Sequence, residues 1–246
     1  LSKWCFWEPR EDMEAVLARI LGSEFGAENL TTVTSALNDW SDAVRHYTPT
    51  NADQYGAFRV GPSYPMAIDS VPNIPSDDKA MFGSRICHPN YTSTADARDS
   101  LLSVRIGDEI ASIQTMLRLL NEGLSKLEAI ANPNEKLKNL IRLGTFMRNS
   151  TQTGLHAKQL YVLKTRLFAE TDKTKLAELL DSIEKLLRDE MQNAADTIPL
   201  VEADSRLGWE PSMHYMTDAW HLDWKMRQIT SVLKFSLPEY RKSLAK

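Results

Sequence analysis

The chain of 246 residues is poor in glycine and cysteine and lacks long apolar runs. Its ten glycines fall short of the usual share of about 7%, and neither common glycine-rich phosphate-binding pattern occurs. A nucleotide site of either kind is therefore not expected. The two cysteines, Cys5 and Cys87, form no CxxC motif and no disulfide framework, so they do not fix a redox compartment.

A clustered basic region is also missing, and the formal net charge is -4. Nucleic-acid binding normally needs a basic face, so we expect no nucleic-acid partner. No apolar run reaches the roughly 20 residues of a membrane span, so we expect no membrane partner. The given sequence begins with Leu1 and not Met, so it leaves open whether a leader has been removed. The sequence therefore leaves the choice between cytoplasm and secretion undecided.

Apolar residues recur every three or four positions over most of the chain, which predicts an all-α fold. Residues 1–47 are expected to form a short helix pair. The first helix should start after Pro9 and stop at Gly22, and the second should run over about 28–47.

Residues 48–92 hold six of the eleven prolines, so no helix is expected to persist there. The segment also carries aromatic residues with which it can pack. We therefore predict a long, ordered, Pro-rich loop lying on a helical bundle.

Residues 93–246 are expected to form that antiparallel bundle, and the whole chain one structural domain. Three helices are predicted at 94–131, 133–170 and 174–197, and a last one at about 218–234 after a non-helical stretch. Asn132-Pro133-Asn134-Glu135 combines an N-cap, a first-turn proline and an acid at a helix start. The predicted interior comprises Ile110, Ile113, Leu117, Leu140, Leu179, Ile183 and Leu187.

Chemistry is suggested first by the stretch 46–65, which interleaves aromatic rings with polar planar groups. Sugar sites use this mixture, because rings stack on pyranose faces while amides, carboxylates and guanidinium groups bond hydroxyls. The candidate substrate-binding residues here are Asp53, Gln54, Tyr55, Arg59 and Tyr64. The alternative is a loop that buries its rings to cover the bundle.

A second stretch, 199–211, supplies four more candidates: Glu202, Asp204, Arg206 and Trp209. The first three alternate along the chain, so an extended backbone would point all of them to one side. Two carboxylates are the minimum for glycoside hydrolysis. A buried Arg–Asp clip that pins a connecting segment explains them equally well.

A third stretch places Arg148, Gln152 and His156 on one face of a helix. Such a stripe can face solvent, form an internal network or line a cleft. We expect it to share one polar network with the other two stretches, because buried polar groups need partners. No metal-ligand spacing and no nucleophile motif occurs, so no catalytic residue, metal or other cofactor is predicted.

Several motifs resemble the helical region that follows the TIM barrel in bacterial glycoside hydrolases. They are Trp4-Cys5-Phe6-Trp7-Glu8-Pro9, Phe25-Gly26-Ala27-Glu28, Asn51-Ala52-Asp53-Gln54-Tyr55-Gly56 with the stretch 58–65, and the stretch 201–211. The resemblance implies an accessory C-terminal domain that buttresses an upstream catalytic domain of the same chain. It also implies that the catalytic carboxylates lie on that barrel, with loops of this region completing the sugar cleft.

Two alternatives remain open from the sequence. The chain could be a non-enzymatic helical module for homodimerisation or partner docking. A weaker alternative is an independent enzyme that uses the carboxylates of 199–211.

Overall fold

The computed structural model describes residues 12–47, 57–68, 101–210 and 214–244, and it confirms the predicted all-α class. The helices are α1 (Met13–Phe25), α2 (Leu30–Val44), α3 (Ala57–Val60), α4 (Leu101–Glu128), α5 (Glu135–Leu167), α6 (Lys173–Ala203), α7 (Ala219–Ser231) and α8 (Leu237–Leu244). Short 3-10 turns lie at Ala27–Asn29, Gly61–Ser63 and Ser205–Gly208, and a π-helical turn lies at Val232–Ser236. Two short antiparallel strands, β1 (Trp209–Glu210) and β2 (His214–Tyr215), complete the described part.

The chain divides into two compact units, each assembled from segments that are distant in sequence. The first comprises Leu1–Tyr47 and Thr115–Arg148, and the second comprises Thr48–Gln114 and Asn149–Lys246. Helices α4 and α5 therefore each supply one part to each unit.

The first unit is organised around the buried indole of Trp40 on α2. Its Nε1 donates a hydrogen bond to the carbonyl oxygen of Leu120 at 3.1 Å. A Cβ added at Gly123 or Gly144 would overlap this ring, so α4 and α5 need glycine where they pass it. The scarce glycines are thus used for close packing inside helices and not only for turns.

The first helix ends later than predicted. Helix α1 begins after Asp12, whose carboxylate accepts from the Ala15 amide at 3.1 Å, and it continues past Gly22. A glycine inside a helix costs only about 1 kcal/mol, which packing readily offsets. The helix stops at Gly26, whose φ of 96° favours glycine.

The predicted boundary near residue 133 is correct, but the capping residue is different. Asn134 caps α5, because its Oδ1 accepts from the Leu137 amide at 2.8 Å. Asn132 instead adopts a φ of 53° in the turn before the helix. The N-cap prediction for Asn132 was therefore wrong by two residues.

In the second unit, α5 and α6 run antiparallel with paired polar side chains. Asn149 on α5 donates to Thr197 on α6 at 2.9 Å. His156, seven residues after Asn149, contacts Glu190, which lies seven residues before Thr197. The helices α7 and α8 pack on α6 in turn, where Arg241 donates to Glu184 at 3.0 Å. Of the predicted interior residues, Ile113, Leu117, Ile183 and Leu187 are buried, while Ile110, Leu140 and Leu179 are half-buried.

The predicted non-helical stretch at 198–217 was partly wrong, because α6 continues to Ala203 with Pro199 inside it. Proline removes one backbone hydrogen bond, and the packing of Thr197 and Val201 on either side keeps the helix intact. After it, the predicted helix start is confirmed: Asp218 caps α7 by accepting from the His221 amide at 2.9 Å.

The last helix extends beyond the predicted end at about 234. The turn Val232–Ser236 widens to π geometry, and the Leu237 amide bonds the Val232 carbonyl five residues earlier. Pro238 has no N–H to donate, so a widened turn just before it accommodates the helix. Within the ranges described above, no helix combines the length and apolarity required to cross a membrane.

Candidate functional site

Of the five candidates in the loop, the structure describes the side chain of Tyr64 alone. Asp53, Gln54 and Tyr55 lie outside the described residues, and for Arg59 only the backbone, in α3, is described. Tyr64 is 2% exposed and packs in the core of the second unit. Its ring covers the bundle, as the alternative interpretation of this loop expected.

Residues 60–68, here called the strap, are buried throughout and are held by side chains from the helices. Gln228 on α7 accepts from the Met66 amide at 3.0 Å and donates to the Met66 carbonyl at 2.6 Å. Lys225 donates to the Pro62 carbonyl at 2.7 Å, and Lys164 donates to the Ala67 carbonyl at 3.1 Å. Buried backbone groups need such partners, so these side chains stabilise the strap regardless of its own side chains.

The strap meets the segment that follows α6 at Met216 and Thr217. Thr217 Oγ1 donates to the Val60 carbonyl at 2.7 Å, and Ser63 Oγ donates to the Met216 carbonyl. From the other side, the Gly208 carbonyl accepts from the Met216 amide at 3.0 Å and the Thr217 amide at 3.3 Å. Val60 and Ser63 of the first stretch and Gly208 of the second therefore bond the same two residues, Met216 and Thr217. The single network expected for all three stretches stays a prediction.

A group of polar side chains, here called the hub, surrounds the fully buried carboxylate of Glu190. Thr153 Oγ1 donates to Oε1 at 2.6 Å, and Lys225 Nζ contacts the same oxygen. His156 Nδ1 lies 2.5 Å from Oε2, and Asn193 Nδ2 lies 3.5 Å from it. The hub thus joins α5, α6 and α7, and through Lys225 it reaches the strap.

The imidazole of His156 has both ring nitrogens engaged. Because Glu190 can only accept, Nδ1 donates to it, and Nε2 is left to accept from Gln152 Nε2 at 2.7 Å. This arrangement fixes the ring orientation and the position of the proton. Gln152 and His156 of the predicted stripe are therefore part of an internal network, which was one of the three alternatives for this stripe. The third residue of the stripe, Arg148, is half-buried and belongs to the first unit.

Electrostatics keep Glu190 ionised. Burial alone would raise the pKa of Glu190, but the charge of Lys225 and the hydrogen bonds from His156 and Lys225 hold that pKa below its usual value. Burial lowers the pKa of Lys225, and Glu190 offsets part of this decrease. The hub therefore stabilises a buried carboxylate in place and is suited to positioning rather than to proton transfer.

Sequence reasoning missed Glu190 and Lys225, although the pattern contains a signal. Glu190 lies three and seven residues after the buried Leu187 and Ile183, and Lys225 lies three residues after the buried Leu222. Each charged residue thus occupies a position of the apolar face of its helix. A charge at such a position predicts a buried partner.

The four candidates of the second stretch lie at and after the end of α6. Glu202 is exposed in its last turn, and Asp204 accepts from the Arg206 amide at 3.1 Å. The Arg206 guanidinium pairs with Asp204 through two bonds of 2.8 and 2.6 Å, with its side chain 81% exposed. The extended alternation expected for these residues was wrong, because the helix reaches Ala203. The Arg–Asp clip exists, but only its acid is half-buried, because Arg206 lies at the surface.

Two tryptophans near this segment are open to solvent. Trp209 on β1 is 45% exposed and lies opposite Tyr215, and Trp220 at the start of α7 is 44% exposed. The Trp220 and His221 rings meet edge to face, with their centroids 5.4 Å apart. His221 Nδ1 lies 2.7 Å from Asp218 Oδ1. Exposed indoles thus occur on the same chain segment as charged hydrogen-bonding groups.

Among the residues that the structure describes, no three His, Cys, Asp or Glu side chains come together as metal ligands. No protein-family model matches this chain, and no curated protein or solved structure matches it either. The resemblance to the helical regions of glycoside hydrolases therefore rests on the sequence motifs alone, and these comparisons do not test it.

Proposed function

We propose that this chain is a helical accessory domain of a carbohydrate-active enzyme, and that its segment 202–223 contacts neutral glycans. The observation that carries the proposal is the exposure of Trp209 and Trp220, each close to 45%. Large aromatic rings are usually buried, and an indole left open offers a flat apolar face of the kind that stacks on a pyranose.

Polar groups on the same segment supply the other half of a sugar site. Arg206 and Asp204 hold each other in a planar, bidentate pair, and Asp218 bonds His221. Such groups can bond the hydroxyls around a ring while their partners keep them in place. Catalysis is assigned to a separate catalytic domain, with this segment completing substrate contacts.

Charge favours a neutral glycan over an acidic one. Residues 202–223 contain five acids and a single arginine, with no lysine. Acids in this segment, of which Glu202 and Asp223 are exposed, repel a polyuronate within about a Debye length, roughly 10 Å at 0.1 M salt. Neutral polysaccharides carry no charge and experience no such repulsion.

Affinity electrophoresis tests this proposal with gels containing arabinoxylan, galactomannan, mixed-linkage β-glucan or polygalacturonate. We expect slower migration in at least one neutral gel and none in polygalacturonate. Trp209→Ala and Trp220→Ala should restore normal migration, whereas Phe235→Ala, at a 61% exposed position elsewhere, should not. Unchanged migration in every gel would overturn the sugar-contact role, and slowing in polygalacturonate alone would overturn the choice of a neutral glycan.

A second candidate, a homodimerisation module, has its own supporting observation. Phe235 is 61% exposed on the π-helical turn, and Phe168 is 49% exposed while its ring packs 6.1 Å from that of Tyr240. Exposed rings can mark an interface. Sedimentation velocity at rising concentration checks it: a dimer that Phe235→Asp dissociates supports this candidate, and a monomer at all concentrations removes it.

A further inference from the structure

The strap and the hub share one side chain, the fully buried Lys225 on α7. Its ammonium group contacts Glu190 Oε1 and donates at 2.7 Å to the carbonyl of Pro62. A buried ammonium group needs both a counter-charge and acceptors to remain in the interior. The carboxylate on α6 therefore positions Lys225, and Lys225 is the strap-holding side chain that carries the charge of the hub to Pro62.

The strap in turn holds the segment that leads into α7. Val60 accepts a hydrogen bond from Thr217, and Ser63 donates one to Met216. The amides of Met216 and Thr217 in turn donate to the Gly208 carbonyl. A continuous chain of hydrogen bonds thus runs from Glu190 through Lys225 and the strap to the residue beside Trp209.

We propose that ionised Glu190 is an acid-sensitive lock, which fixes the strap and the 208–217 segment and releases both when it is protonated. The groups that face the carboxylate are known from each neighbouring helix: Thr153 and His156 on α5, Asn193 on α6 and Lys225 on α7. Protonation removes the negative charge from the centre of this cluster. Lys225 then loses its counter-ion, and the contact to Pro62 loses the group that positions its donor.

The direction of the pH dependence follows from the pKa of Glu190, which is below its usual value of 4.5 in the fold. The unfolded chain therefore takes up this proton first as the pH falls, and the lock is fully closed above about pH 4.5. It opens as the pH drops through the lower folded value. The release of the strap should precede global unfolding, because side-chain bonds from α5 and α7, and not a continuous helical ladder, hold its backbone.

Hydrogen exchange read by mass spectrometry on the whole chain tests the lock between pH 3 and pH 7, with rates corrected for intrinsic exchange. We expect the strap and the amides of Met216 and Thr217 to lose at least tenfold protection at low pH while α6 remains protected. Glu190→Gln should show this loss already at pH 7. Glu109→Gln is the matched control, since Glu109 is buried against Lys158 at 2.8 Å and no described hydrogen bond or ion pair joins it to the strap.

Lys225→Met keeps the test decisive if Glu190→Gln does not fold, because it removes the link and leaves the carboxylate able to titrate. In that variant, strap protection should be low and independent of pH. The proposal is overturned if the strap and α6 lose protection together at every pH. It is equally overturned if Lys225→Met leaves strap protection at its wild-type level and with its wild-type pH dependence.

Discussion

The hub and the Asp204–Arg206 pair are two ionic groups in the same unit that differ in their exposure to solvent. The surface pair has the better local geometry, with two parallel bonds, yet water reaches its guanidinium, because the Arg206 side chain is 81% exposed. In the hub, a single ammonium group, that of Lys225, pairs with the Glu190 carboxylate, and neither charge is accessible to solvent. Exposed pairs contribute little to stability even when well formed, whereas removal of one buried partner leaves a stranded charge. Burial, more than geometry, therefore decides which group the fold depends on.

The largest expected effect comes from removing the buried acid. Glu190→Ala should lower the free energy of unfolding by about 3–5 kcal/mol, because Lys225 loses its counter-charge in the interior. Urea denaturation measures this loss. The double variant Glu190→Leu with Lys225→Met is the control and should cost less than the single change, since no charge remains. An equal or greater loss in the double variant would mean that packing, and not charge, explains the single one.

A buried apolar position gives the next effect and tests the predicted bundle face. Leu117 on α4 is 7% exposed in the first unit, so Leu117→Ala should cost about 2–5 kcal/mol through the cavity that it leaves. Leu143→Ala, at a 41% exposed position on α5, should stay within about 0.5 kcal/mol. Similar values for both variants would show that the helical face is assigned wrongly.

The difference between these two positions also shows what periodicity can predict. Ile113, Leu117, Ile183 and Leu187 were placed inside because apolar spacing alone identifies a buried face. The helix boundary near residue 133 followed from local capping chemistry in the same way. Both features depend on residues within one or two turns, so a single sequence contains the information.

Features that depend on distant partners were not predictable in this way. The stretch from residue 198 was predicted to be non-helical, but α6 continues through Pro199 to Ala203, because tertiary packing overrides the local preference of proline. Glu190 was overlooked because its partner Lys225 lies 35 positions further along the chain. The side chains that hold the strap come from α5 and α7, and nothing local in residues 60–68 indicates them. The side chains that support the candidate site were therefore not predictable from residues near it in the sequence.

Lowering the pH should reduce the free energy of unfolding gradually, and by less than Glu190→Ala reduces it. The pKa of Glu190 is depressed in the fold, so its contribution is present above about pH 4.5 and is lost as the pH falls through the folded value. The protonated group keeps its hydrogen bonds from Thr153 and Asn193, which limits the loss. Urea midpoints at several pH values for the wild type and Glu190→Gln measure it, since other carboxylates contribute equally to both. Parallel pH profiles for the two proteins would contradict the assignment.

The smallest effect on stability, and the sharpest contrast with the hub, is expected at Arg206. Its pKa is raised by the hydrogen bonds and charge of Asp204, so the guanidinium stays ionised, but the side chain lies in solvent. Asp204, whose side chain is 17% exposed, still accepts from the backbone amide of residue 206 after Arg206→Ala, so the thermal unfolding midpoint should change little. Glycan retardation in the gels should weaken instead, because the planar pair is lost. Arg206→Lys separates charge from shape: it retains the positive charge but cannot form the bidentate pair, so we expect it to behave like the alanine variant. A marked fall in the unfolding midpoint would show that this pair is shielded from water, and the contrast with Glu190 would then fail.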